Sequence, residues 1–548
     1  MEFTKGLFKR NSFAVFLIVL ANLVIYAQVI NFELVGLDDI YFITTNPQVT
    51  GGLSRDNFLW SLQTVFMGIW HPLTWFSYQL ESSLFGADNA SARHVTNLLI
   101  HIGNSLLVFF LFNRILKQRN IALVLALLFA AHPQHVQVVA WVSERKELLA
   151  AFFALLSIFF YHKSTDHKGT DAAQAKHKAW YWLSFSSFVL AAMSKPGIVP
   201  IPLVLIAMDL IVLPRKQGFF RTVIDSTKNK LPFIVVSIVI AFVAVYANHM
   251  YGAVNEGSEM AKVVLAKFDA YAWLVPLNLG HYLTTVFMPV PGSYFLLPPQ
   301  QLSLQLVGYS LLLAIVFVAV TLRIRHRFPL AVFGAAWFIL MWLPVSGIVP
   351  FARYFVADRY TYMPHIGLFL VIIYAVYFIA EKFKFSKQVL LAATLLTVLS
   401  GAYFSSIQAS YWRNDLVLFQ HEFELNPHSE EAALYCGWAA QEEKRYELAA
   451  KCFKHATIIN PNGYLGHAYY GFVLEHAGLP HRAADHYQRA LASKGAATKL
   501  NADLVYARLV KLLVYQGKRV QATSVLIEGL EAFPGNQQII RSYYQIGQ

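Results

Sequence analysis

Between Asn11 and about Ser405 the chain returns repeatedly to apolar runs of roughly 11 to 20 residues, separated by short polar stretches. The runs are continuous rather than alternating, so they read as helices that need an apolar surrounding on every side. A bilayer supplies that surrounding, and it admits only structures that satisfy their own backbone groups. The runs at 11–30, 95–112, 121–131, 148–161, 180–193, 198–213, 233–247, 304–321, 330–343, 367–380 and 389–404 predict about eleven crossings. Only 14% of the 548 residues are charged and 57% are hydrophobic, far from the roughly one-quarter charged content of soluble domains. The net charge of +13 sits largely in short loops between the runs, as the positive-inside rule demands, so it does not point to nucleic acid.

Lys5, Lys9 and Arg10 precede the first run and place the N-terminus in the cytoplasm. That run lacks a small-x-small cleavage site, so it reads as a retained anchor. Asp38 and Asp39 then emerge on the opposite side. A long outer loop follows with Trp60, Phe66, Trp70, Trp75 and Phe76, a density that suits helices lying in the interface. The segment 268–289 decides the parity of everything after it. If it crosses, the Arg323, Arg325 and Arg327 loop falls outside. If it dips and returns, the basic loops fall inside. Its Pro276, Asn278, Gly280 and closing Pro289-Val-Pro291-Gly292 suit a re-entrant or interfacial helix.

Beyond the last run the composition becomes that of an ordinary soluble domain of about 140 residues. This divides the chain into a polytopic membrane domain, 1–408, and a C-terminal domain, 409–548, on the outer side. Asn426-Pro427 recurs as Asn460-Pro461, the 34-residue tetratricopeptide period. Gly437, Ala449, Phe453 and Ala456 then occupy the packing positions of one unit, and Gly471, Ala483, Tyr487 and Ala490 those of the next. A third unit with Ala522 and Pro534 is weaker and reads as a cap. The expected fold is therefore all-α: a membrane helix bundle followed by an α-solenoid of about three repeats. Cys436 and Cys452, the only cysteines, make no disulfide framework and read as core residues.

The conspicuous ionisable groups of the membrane domain gather on the outer side: Asp38, Asp39, His71, Arg93, His94, His132, His135, Glu144, Arg145, Lys195, Arg353, Asp358 and Arg359. Two adjacent aspartates after a span are either a solvated loop or a working pair. With cations beside them they fit hydrolysis or group transfer involving a phosphate leaving group. Arg353 and Arg359 are the persuasive phosphate ligands, because an outer loop gains nothing topologically from arginine. Lys195 sits in a tight outer turn, Ser194-Lys195-Pro196. Arg93 at a membrane boundary also fits a snorkelling side chain. His94 and His101 lie seven apart on one helix face, which favours packing. His132-x-x-His135 is half of a metal site. A divalent ion would need further ligands, for which Glu144 and Glu147 are available without matching a standard zinc spacing.

An outer-loop Asp-Asp after the first span resembles the type C (GT-C) glycosyltransferases, which take sugars from polyprenyl-phosphate carriers. More closely, the chain resembles the transmembrane and tetratricopeptide repeat-containing O-mannosyltransferases and their bacterial relatives. The residues that carry this are Gly68-Ile-Trp-His71-Pro72-Leu73, Phe85-Gly86, Arg93-His94-Val-Thr-Asn97-Leu-Leu-Ile-His101, His132-Pro133-Gln-His135, Glu144-Arg145-Lys146-Glu147-Leu148-Leu149 and Asp358-Arg359-Tyr360-Thr361-Tyr362. The resemblance implies inverting transfer of a sugar from a lipid phosphate to a protein hydroxyl. Asp38 or Asp39 would be the base, and Arg145, Lys195, Arg353 and Arg359 would hold the carrier phosphate. His71, Arg93, His94, His132, His135, Glu144, Asp358 and Tyr360 would support them. Only about three repeats follow the membrane domain, which implies a bacterial inner-membrane member using undecaprenyl phosphate, with the repeats in the periplasm selecting the protein acceptor. Two other readings stand beside it: a non-catalytic envelope assembly protein docking through its repeats, and an oligosaccharide ligase using lipid-linked glycans. A transporter fits less well, since the charges lie at one surface and not at mid-membrane.

Overall fold

The computed structural model describes residues 2–165, 171–213, 218–254, 273–287, 303–348 and 356–547. Among these residues every regular element is helical. Two compact units result, Met1–Asn414 and Asp415–Gln548.

In the first unit all eleven apolar runs lie in helices. Among the described residues seven helices are long and apolar enough to cross a membrane: Asn11–Asn31, Ala90–Leu116, Val142–Ser164, Leu231–Tyr251, Leu304–Ile324, Pro364–Phe383 and Lys387–Ser410. Arg119–Ala131 and Pro133–Ala140 make an eighth if their 57° bend is taken as one broken span. The bend has a local cause. His132 is extended (ψ 127°), the conformation that a following proline imposes. Pro196–Ile211 and Pro329–Val345 are shorter apolar helices, and the run 180–193 lies in the helix Asp171–Ala192. The described part of the segment 268–289 is a helix of 12 residues, Leu274–Thr285. At 1.5 Å per residue it reaches about 18 Å, short of the roughly 30 Å hydrocarbon core.

The helix Ala90–Leu116 organises the site. Asn89 starts it by accepting from the Ala92 N–H at 3.0 Å. Lys117, at φ +53°, turns the chain directly into the next helix. Its lower half packs Val108, Phe109 and Phe112 into one core with Leu125, Leu155, Ile158, Trp337 and Leu370. Its upper half buries a polar seam: Arg93, His94, Asn97, His101 and Asn104. Asn104 donates to the Leu148 carbonyl and to the Tyr362 hydroxyl (3.0 and 3.1 Å). A nitrogen of His101 lies 2.7 Å from that same hydroxyl. Hydrogen bonds of this kind hold membrane helices together where apolar burial cannot discriminate. Pro329–Trp342 and Pro364–Phe383 touch backbone to backbone. A Cβ on Gly334 would come within 2.7 Å of the Gly367 carbonyl oxygen, so both glycines are needed for the approach.

The second unit is a row of helix hairpins. Glu430–Glu442 pairs with Tyr446–Ile459, Tyr464–His476 with Pro480–Leu491, and Ala502–Tyr515 with Arg519–Ala532. The first two hairpins start 34 residues apart, the expected period. Gly437 lies under the Phe453 ring and Gly471 under the Tyr487 ring. The cysteines depart from their expected role as separate core residues. Cys436 and Cys452 are buried, but they are joined as a disulfide across the first hairpin, with Cα atoms 6.0 Å apart. Each belongs to one helix of an antiparallel pair, and the narrow seam beside Gly437 brings them within bonding reach.

Candidate active site

The segment after the first span is fastened to the start of the helix Arg145–Ser164. Phe42, Ile43 and Val49 pack with Trp75, Tyr78 and Val142 in a small core of their own. The aromatic-rich loop therefore folds over the residues that precede Glu144 rather than lying only against lipid. Asp39 completes the attachment. Its Oδ1 accepts the Ser143 N–H at 2.9 Å and the Ser143 hydroxyl, and its Oδ2 accepts the Val35 N–H at 3.2 Å. Asp39 is buried (1% exposed). Burial raises its pKa from 3.8 to about 7, against the lowering effect of those three donors. Asp38 faces the other way. Its side chain is 27% exposed, and Oδ2 stands 3.7 Å from Lys146 Nζ. The two aspartates thus separate into a fastener and an accessible carboxylate.

Glu144 is the hub beneath Asp38. Its buried carboxylate is 3.0 Å from Lys146 Nζ, 3.7 Å from Lys195 Nζ and 3.5 Å from Arg359 Nε. Lys195 is also paired with Glu147. Burial alone would lower the Lys195 pKa. Glu147 and Glu144 outweigh it and the pKa is raised, so this ammonium stays charged at neutral pH. Aromatic rings hold the cations in place. Lys146 Nζ lies 5.3 Å from the Phe42 ring centre and 5.4 Å from that of Trp141. The Arg359 guanidinium lies 5.6 Å from Trp141 and 5.0 Å from Tyr360. Gln137 accepts from the Arg359 backbone N–H at 3.0 Å and from its Nη1 at 3.3 Å. His71 is buried close by, edge-on to Trp75 at 4.5 Å. Burial and then the Lys146 charge push its pKa well below the usual imidazole value, so it is neutral.

One expected phosphate ligand, Arg145, is placed differently. Arg145 turns away from this cluster and is fully buried. It donates to Asn97 Oδ1 (2.8 Å), the Arg93 carbonyl (2.8 Å) and Glu81. Arg93 does not snorkel. It bonds Glu81 at 3.4 Å, and Ser82 and the Ala87 carbonyl at 2.9 Å each. Glu81 thereby binds two guanidiniums in one buried knot, so Arg145 and Arg93 support the site without facing it. His94 packs as expected, with Nε2 3.3 Å from the Glu33 carbonyl and its ring edge-on to Phe32. Arg353 lies outside the described residues. Asp358 sits beside Arg359 in the turn Asp358–Thr361 and accepts from Gln134 Nε2 at 3.1 Å.

His132 and His135 find a third imidazole in His365. One ring nitrogen from each lies within 4.8 Å of the others, and all three residues are buried. Glu144 and Glu147, considered as further ligands, are instead engaged with the lysines. Sequence reasoning passed over His365, Lys146, Glu81 and Ser143. Lys146 belongs to the charged run Glu144-Arg145-Lys146-Glu147, from which the resemblance assigns the phosphate to Arg145. His365, following a helix-starting proline, carried no spacing that links it to residues over 200 positions earlier.

A polytopic all-α membrane protein with an ion-paired acid–base cluster beside its first non-helical loop is the class these features define. In sequence the chain is similar to protein O-mannosyl-transferases, as the resemblance of its motifs implied. It is 21% identical over 452 residues to TMTC3 of Homo sapiens, covering 77% of this chain and 48% of that protein. To TMTC4 of Mus musculus it is 22% identical over 405 residues, 65% of this chain and 54% of that protein. A shorter stretch of 133 residues is 32% identical to TMTC4 of Homo sapiens, 22% of this chain and 18% of that protein. The chain thus spans about half the length of the curated relatives that it matches most extensively. No protein-family model matches it. Among solved structures, an oligosaccharyltransferase of Archaeoglobus fulgidus tethered with an acceptor peptide aligns at 13% identity with a TM-score of 0.45, over 82% of this chain and 59% of that one.

Proposed function

We propose that this chain is a membrane glycosyltransferase of the GT-C type. It transfers a sugar from a polyprenyl-phosphate carrier, undecaprenyl phosphate in a bacterial inner membrane, to a protein hydroxyl on the outer face. The observation that carries the reading is the division of labour within the aspartate pair: Asp38 is accessible and 3.7 Å from Lys146, in a network that also holds Lys195 and Arg359. Asp38 Oδ2 takes the proton of the acceptor hydroxyl as its oxygen attacks the anomeric carbon from the face opposite the phosphate. The bond from that carbon to the phosphate oxygen breaks, the configuration inverts, and the carrier phosphate departs with its charge balanced by Lys195 and Arg359. Asp39 keeps the loop in register through Ser143 and Val35. Arg145 and Arg93 hold the helices behind it.

The two units divide the work: the membrane unit carries the transfer, and the hairpins of 415–548 present the acceptor in the periplasm. The Cys436–Cys452 disulfide supports that side, because disulfides persist in oxidising compartments. The test is transfer by the purified chain in lipid nanodiscs, supplied with defined undecaprenyl-phosphate sugars and acceptor peptides. Wild type is expected to turn over. Asp38→Asn is expected to lose at least about 100-fold in rate, the general-base contribution, with an unchanged unfolding midpoint. No turnover by well-folded wild type with any donor overturns the glycosyltransferase reading. Undiminished turnover by Asp38→Asn overturns the base. If Asp38→Asn retains cellular function while removal of 415–548 abolishes it, the chain is a docking protein instead.

A further inference from the structure

The three-histidine cluster is not used by the proposed transfer, and it brings one ring nitrogen from each of three buried imidazoles within 4.8 Å of the others. A buried imidazole normally has both nitrogens satisfied, since an orphan gives up its hydrogen bond to water without a replacement; His71, outside the cluster, also lacks partners. Here His135 Nε2 and both nitrogens of His365 are buried without a hydrogen-bond partner, and both residues are 0% exposed. The bonds that do exist orient the rings. His135 Nδ1 is 2.7 Å from the Phe129 carbonyl, so it carries the proton and leaves Nε2 as a lone pair. His132 Nε2 is 3.3 Å from the Val286 carbonyl, and its Nδ1 accepts from the Gln134 N–H at the same distance, a bond that a metal at Nδ1 would replace. An imidazole that donates one N–H to a backbone carbonyl and offers the other nitrogen inward is the arrangement found around metal-bound histidines.

We infer that His132, His135 and His365 bind one borderline divalent transition metal, of which zinc is the type. Three neutral nitrogen donors with no oxygen donor among them select zinc over magnesium or calcium. Zinc–nitrogen bonds of about 2.0–2.1 Å require the nitrogens to close from 4.8 Å to about 3.4 Å, a small ring movement about the side-chain torsions. The ion joins two distant parts of the chain: the bend at Pro133 and the first turn of Pro364–Phe383. Those parts carry the ties to the site, Gln134 to Asp358 and Gln137 to Arg359. The metal thus ties those two parts of the chain together and leaves a fourth coordination position open.

The test is elemental analysis of the full chain purified in detergent without metal-affinity resin, together with cobalt(II) titration of the chelator-treated protein. Expected are about one zinc per chain and visible cobalt absorption of a four-coordinate site. Affinity should fall at least about 100-fold in His135→Gln and in His365→Gln and be unchanged in His455→Gln, a residue of the second unit. Chelation should lower the unfolding midpoint of wild type and not of His365→Gln. If the glutamine variants do not fold, His365→Cys, which keeps a ligand, must retain the metal and shift the cobalt spectrum. Folded wild type that takes up neither zinc nor cobalt overturns the inference, as does uptake that His135→Gln and His365→Gln leave intact. Neither result bears on turnover, so this inference and the transferase proposal fail separately.

Discussion

Asp39→Asn isolates the most unusual electrostatic feature of the site. The carboxyl has a folded pKa of about 7 against 3.8 without the fold. A raised folded pKa contributes stability that is full below about pH 4 and is lost as pH rises through 7. The difference of about 3 units at ~1.4 kcal/mol each amounts to ~4 kcal/mol over the whole range, of which ~2 kcal/mol is lost between pH 5.5 and 8. Asparagine cannot ionise, so it escapes that loss. It has its own cost, because its amide group meets the Val35 N–H where Oδ2 accepted at 3.2 Å; two facing donors cost ~1–3 kcal/mol. The variant should therefore unfold below wild type at pH 5.5, and the gap should close or reverse by pH 8. Thermal midpoints followed by tryptophan fluorescence in one detergent, both proteins side by side, read this directly. A gap that is constant, or that widens as pH rises, refutes the buried neutral carboxyl.

Three further predictions rest on separate contacts. Glu81→Gln removes the counter-charge shared by Arg93 and Arg145 and should cost ~3–5 kcal/mol, seen as a collapsed monodisperse peak in size-exclusion chromatography; a normal peak with an unchanged midpoint refutes the knot. Gly437→Ala drives a methyl into the Phe453 ring and should destabilise the repeat unit by ~1–3 kcal/mol, read by proteolysis of the second unit in the full chain. Reduction of Cys436–Cys452 reopens a loop closed over a separation of 16 residues. It should cost ~3 kcal/mol, and thiol counting before reduction should find none.

The sequence carried the helices well and the site's geometry poorly, for a physical reason. Apolar runs are local, so the eleven helices and the 34-residue hairpins could be read from composition and spacing. Which side of a helix a charge takes is local too, but what it meets there is not. Glu144, Arg145, Lys146 and Glu147 stand consecutively, and a run of four covers a full helical turn. Lys146 therefore reaches Asp38 while Arg145 points at Glu81. His365 joins His132 and His135 only through the packing of helices far apart in sequence. Adjacent residues on a turn face apart for the same reason, which is how one aspartate became a buried clasp and its neighbour the exposed carboxylate. A paired motif in a loop thus does not say which of its members stays accessible. The hydrogen bonds from Ser143 and Val35 hold Asp39 in the interior and leave Asp38 as the exposed carboxylate of the pair.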